Sequence, residues 1–149
     1  MKKITAAVLV TAGAGHGVYG KTICSVREMD AAFRNLGAEN KTIERENVHK
    51  LKGIIEQMAE LKKLDKPAKS ALLLHYIQTS PDYRKQDKQS IMQKIMMLLS
   101  QAGNEEHPDC AKLTEAADMT GRLIDINREH WAKILAGAQQ DLLEAKNAR

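Results

Sequence analysis

The residues with the clearest chemical potential in this chain are Gly15, Gly20, Lys21 and Thr22. They sit in the stretch Gly15-His16-Gly17-Val18-Tyr19-Gly20-Lys21-Thr22, which matches G-x-x-x-x-G-K-[ST] at every fixed position. In such a loop the glycines let backbone N–H groups wrap phosphate oxygens. Lys21 would reach the β- and γ-phosphates, and the Thr22 hydroxyl would hold magnesium. The same stretch also lies within a different pattern. Lys2 and Lys3 form a short basic region, Ile4 to Ala12 an apolar run, and Ala12-Gly13-Ala14 a small-residue cleavage site. That is the layout of an export signal.

The phosphate-loop stretch resembles the P-loop NTPases over about the first 22 residues. The resemblance implies a parallel sheet, a nucleotide ligand, and a site at Gly15, Gly20, Lys21 and Thr22. The remaining residues argue for the signal instead. No second β-rich run is present to pair with Ile4 to Ala12. The nearest candidate for a strand ending in a metal-binding aspartate, Leu123-Ile124-Asp125, falls inside a helical pattern. The preferred reading is residues 1–20 as a signal cut near Ala14 or Gly20, followed by one helical domain over 21–149. The alternatives are a small nucleotide-binding protein and a cytoplasmic helical adaptor with its apolar N-terminus packed on the bundle.

Two cysteines, Cys24 and Cys110, carry no C-x-x-C spacing, which excludes thioredoxin-type redox and haem-attachment motifs. In an oxidising compartment they would pair; in a reducing one they would be two free thiols. Glu46 and His49 have the Glu-x-x-His spacing of di-iron bundles, but no second copy exists, so the pair reads as a solvated helix face. The five histidines show no H-x-x-x-H pair, so no metal is expected. Asp125, Glu129 and His130 cluster on one helix and read as surface salt-bridge partners for Arg122, Arg128 or Lys133. Asn40-Lys41-Thr42 is a glycosylation acceptor only along a eukaryotic secretory route. With no catalytic constellation and no cofactor motif outside the phosphate-loop match, the expectation is a non-enzymatic protein.

Composition sets the frame that positions these residues. The chain has 149 residues, 43% hydrophobic and 28% charged, enough for one domain with a real core. Aromatics are only 3%, so the core must be aliphatic, which favours helices over sheets. The net charge of +4 falls to +2 without Lys2 and Lys3, too weak to indicate nucleic acid. The apolar run of the first segment is about nine residues, short of the ~20 that span a bilayer.

Helical periodicity runs through the rest. Ser25 and Glu28 have capping-box spacing, and Gly37 is expected to end a first helix. A second is expected from Asn40 to Thr42 onward, with Leu51, Ile54, Met58 and Leu61 on one stripe. Pro67 suits the start of a third, and Thr79-Ser80-Pro81 marks a break. The next helix carries Ile91, Ile95, Leu98 and Ala102 and stops at Gly103-Asn104. Pro108 is expected to open a last, long helix in which Leu113, Ala117, Thr120, Ile124, Asn127, Trp131, Ile134 and Ala138 keep heptad-like spacing, with Gly121 and Gly137 as candidate bends.

The resulting expectation is all-α: an antiparallel bundle of four or five helices with a long C-terminal helix. The expected role is an exported protein, periplasmic or secreted, acting through protein–protein contacts as an accessory of an envelope or secretion assembly. Its contacts would fall on Leu51, Met58 and Trp131, with homo-oligomerisation through amphipathic helices as an option. The methionines Met92, Met96, Met97 and Met119 read as core first and as an adaptable binding surface second.

Overall fold

Ser25 caps the first helix as its type predicts. Its Oγ accepts a hydrogen bond from the Glu28 backbone N–H at 3.1 Å, and the Glu28 carboxylate accepts from the Cys24 N–H at 2.8 Å. The reciprocal bond thus reaches one residue further out than a standard capping box. These are features of a computed structural model that describes residues 22–79 and 85–148. Among the described residues it contains four α-helices: α1 (Val26–Lys62), α2 (Lys66–Gln78), α3 (Lys85–Ser100) and α4 (Cys110–Asn147). The fold is all-α, with the long C-terminal helix packed against the others.

Gly37 does not end a helix; α1 runs through it for 37 residues. Leu36 and Ile43 flank the predicted break on the same stripe and are both buried. Their burial offsets the 0.5–1 kcal/mol or so that a mid-helix glycine costs. The actual stop is Lys63, in the left-handed region at φ 54°, with its N–H bonded to Ala59. Asp65 then caps α2 by accepting from the Ala68 N–H at 2.9 Å, with Pro67 in the first turn. Pro108 does not open α4 either. It pairs with Gly103 across a tight turn, and Asp109 takes the capping role, accepting from the Lys112 N–H at 3.2 Å. At 38 residues α4 extends about 57 Å, and neither Gly121 nor Gly137 interrupts it.

The two long helices run parallel. Ile23 bonds to Thr114, Asn40 to Asn127 and Gln57 to Lys146, at sequence separations of 91, 87 and 89. A nearly constant positive offset over the full length is possible only for parallel neighbours. Successive segments are antiparallel where α3 meets α4: Lys94 pairs with Glu115, and Lys112 reaches back to the Gln101 carbonyl. Between Lys66 and Gln101 the chain returns from the far end of α1 to the first turn of α4. The path is therefore up, down, up, with the descending limb divided into α2 and α3.

That division also divides the core. Near the N-termini of α1 and α4, Met29 and Ala32 of α1 meet Ile95 and Leu98 of α3 and Leu113, Ala117 and Met119 of α4. Toward the far end, Leu36, Leu51, Ile55 and Met58 meet Ile124, Trp131, Ile134 and Leu142, and Leu72, Leu73, Tyr76 and Ile77 of α2 pack onto them.

Candidate interaction surface

The sequence-derived site residues separate into three groups. Gly15, Gly20 and Lys21 lie outside the described residues, as does the proposed signal segment 1–20; Thr22 is exposed ahead of α1. Cys24 and Cys110 are brought together, with sulfurs 2.14 Å apart and Cα atoms 4.4 Å apart. This is disulfide distance, and it joins the start of α1 to the first residue of α4. Ile23 reinforces the clasp: its N–H donates to Thr114 Oγ1 at 2.9 Å, and its side chain is buried.

Leu51, Met58 and Trp131 do not form an interaction surface. Leu51 is 0% exposed, Met58 1% and Trp131 7%, because all three face the seam between α1 and α4. Their strong periodicity marked the face that the chain buries against itself. The reading of the four methionines as core first holds at one and fails at three. Met119 is buried, whereas Met92, Met96 and Met97 are 51%, 66% and 48% exposed.

The polar constellations lie on the surface except at His130, which is only 6% exposed and so is not the surface salt-bridge partner expected for it. Glu46 and His49 are exposed on α1. Asp125 pairs with Arg128, which also reaches Glu39 of α1. Among the described residues no group of three His, Cys, Asp or Glu side chains is placed to hold a metal ion. No described helix is long and apolar enough to cross a membrane. Lys69 of α2 is paired with Glu56 of α1 at 2.9 Å.

Two ionisable groups are shifted by their surroundings. The Asp109 carboxylate is held below the usual range, chiefly by the Lys112 backbone N–H it accepts, then by the Lys112 ammonium. Tyr76 is pushed well up, first by burial and then by donating its hydroxyl proton to the Asp141 carboxylate, whose charge adds to the effect. The Asp109 arrangement caps α4 locally, and the Tyr76–Asp141 bond ties α2 to α4.

What remains open is the space between α1 and α3. Both helices pack on α4 but leave a groove between them. At its centre is a cavity of about 340 Å³, with Phe33, Gly37, Asn40 and Glu44 on the α1 wall, Lys88 and Met92 on the α3 wall, and Leu123 and Ile124 on the floor. Nearer the start of α1 and the end of α3 a second cavity of about 220 Å³ continues it, sharing Phe33 and bounded by Val26, Asp30 and Leu99. Met92 and Met96, four residues apart, form a ridge along the α3 side. Sequence periodicity did not single out this groove, because a helix in a bundle with an unfilled side carries the same apolar stripe as one in a closed bundle. The usable signal was the density of methionines on α3, beside Ile95 and Leu98, the two positions buried among its described side chains. Comparison with known protein families, with curated proteins and with solved structures finds no match for this chain.

Proposed function

We propose that this chain is an exported, non-enzymatic helical protein that acts through protein–protein contacts, as an accessory of an envelope or secretion assembly. The observation that carries the export half is the placement of Cys24 and Cys110 at disulfide distance. A stable pair of this kind belongs to an oxidising compartment, the periplasm or the cell exterior. It agrees with the basic, apolar and small-residue order of residues 2–14. The contact half is supported by the exposed methionine ridge and the groove beside it, since flexible, polarisable thioethers on a surface suit apolar partners.

The test is intact mass of the protein isolated from its native host, with and without thiol alkylation. The expected result is loss of about 14 to 20 N-terminal residues and no alkylation before reduction. A full-length mass with two alkylated thiols would end the export reading. Crosslinking and pulldown of the mature protein from envelope fractions tests the contacts; recovery of no envelope component would end that half.

A further inference from the structure

Six of the seven methionines lie among the described residues; Met1 does not. They divide evenly. Met29, Met58 and Met119 are buried in the seams of the bundle, and the Met58 sulfur also accepts from the Tyr76 hydroxyl at 3.9 Å. Met92, Met96 and Met97 all belong to α3, and each is about half exposed or more. Three thioethers thus stand in solvent on one short stretch of one helix.

The packing of α3 rests on other residues. Ile95 and Leu98 carry it into the core against α1 and α4. A change of chemistry at the three methionines therefore alters the surface and spares the core. These sulfurs are also the first groups an oxidant meets. Cys24 and Cys110 are held at disulfide distance and neither is free, so among the described residues no thiol competes with the thioethers. Trp131 is buried.

We propose that Met92, Met96 and Met97 form a reversible oxidation site, at which a peroxide-class oxidant converts the thioethers to sulfoxides and turns the ridge of α3 polar while the bundle stays folded. In each event a sulfur lone pair attacks one peroxide oxygen. The S–O bond forms as the O–O bond breaks, and sulfur gives up two electrons. The departing oxygen takes the proton of the transferred one and leaves as water, so thioether and hydrogen peroxide give sulfoxide and water. The sulfoxide is polar and chiral, and no longer suits an apolar partner. A methionine sulfoxide reductase restores the thioether. The site thereby regulates the contact surface proposed above. That consequence rests on the protein–protein reading; the selectivity of the oxidation does not.

The test exposes the disulfide-bonded chain to hydrogen peroxide and follows each methionine by peptide mass spectrometry, beside the same chain unfolded in urea. In the folded chain Met92, Met96 and Met97 should oxidise at least about tenfold faster than Met29, Met58 and Met119, whose sulfurs are reached only when the fold opens. Unfolding should remove the difference. Once the three are oxidised, helix content by circular dichroism should persist and retention on a hydrophobic-interaction column should fall. A Met92→Leu/Met96→Leu/Met97→Leu variant, close in volume, should keep its retention through the same treatment. Equal rates at exposed and buried methionines of the folded chain overturn the proposal. So does loss of helix on oxidation of the α3 methionines alone, or a retention that oxidation leaves unchanged. Crosslinking to envelope fractions separates the two readings. Capture that peroxide weakens and the reductase restores is the expected result, and capture indifferent to peroxide ends the regulatory consequence. Capture of nothing ends the contact reading, while the mass spectra still decide the site.

Discussion

Asn127 of α4 donates a hydrogen bond to the Asn40 side chain of α1 at 2.8 Å, midway along the seam between the two parallel helices. Each asparagine occupies a core-facing position: Asn40 lies between Leu36 and Ile43, and Asn127 between Ile124 and Trp131. A polar pair in an apolar seam is satisfied in one register and orphaned in any other, so it fixes alignment at some cost in stability. Asn127→Ala should lower unfolding stability by about 1–2 kcal/mol. Replacing both residues with leucine should cost less than the sum of the single changes. A double-mutant cycle by urea denaturation measures this; strict additivity would show the bond to be idle.

Closing Cys24 to Cys110 constrains a loop of 86 residues in the unfolded chain. In the chain-entropy account this contributes about 4–5 kcal/mol. Reduction, or Cys24→Ser with Cys110→Ser, should lower the melting temperature sharply while helix content at low temperature persists. An unchanged melting curve after complete reduction would contradict it.

Burial separates Leu51 of α1 from Leu74 of α2. Leu51 is 0% exposed and Leu74 53%. Leu51→Ala should cost about 2–5 kcal/mol, and Leu74→Ala no more than about 0.5. Comparable losses at the two sites would rule out α1 packing as described.

Tyr76 gives the molecule an alkaline limit. Its hydroxyl is raised above the ordinary value of 10.0, so the folded chain keeps the proton that the unfolded chain releases. The contribution is whole below pH 10.0 and is lost as pH rises beyond it. Tyr76→Phe should flatten the decline of stability above that point, as read by chemical denaturation across an alkaline series. An identical slope in the variant would refute the assignment.

Gly103 holds φ at +80°, and a Cβ there would lie 2.2 Å from the His107 carbonyl oxygen. The turn it makes places the Asp109 N–H 2.7 Å from the Ala102 carbonyl and so sets the entry to α4. Gly103→Ala should destabilise by about 1–3 kcal/mol, and Gly37→Ala, in open space, should not. Equal effects of the two changes on thermal unfolding would contradict the geometry.

Much of this was legible locally. An aliphatic, aromatic-poor composition and 3.6-residue periodicity determined helices; Ser25 and Pro67 marked two starts, and Thr79 the end of α2. The apolar positions of α4 from Leu113 to Ala138 were readable because each depends only on neighbours one turn away. The tertiary structure decided what periodicity cannot encode. It carried α1 through Gly37, because the partners that hold Leu36 and Ile43 are far off in sequence. It paired α1 with α4 in parallel, through contacts 87 to 91 residues apart. It turned Leu51, Met58 and Trp131 inward and left Met92 and Met96 outside. An amphipathic stripe states that a face will be buried; only the count of helices available to cover it decides which stripes stay open.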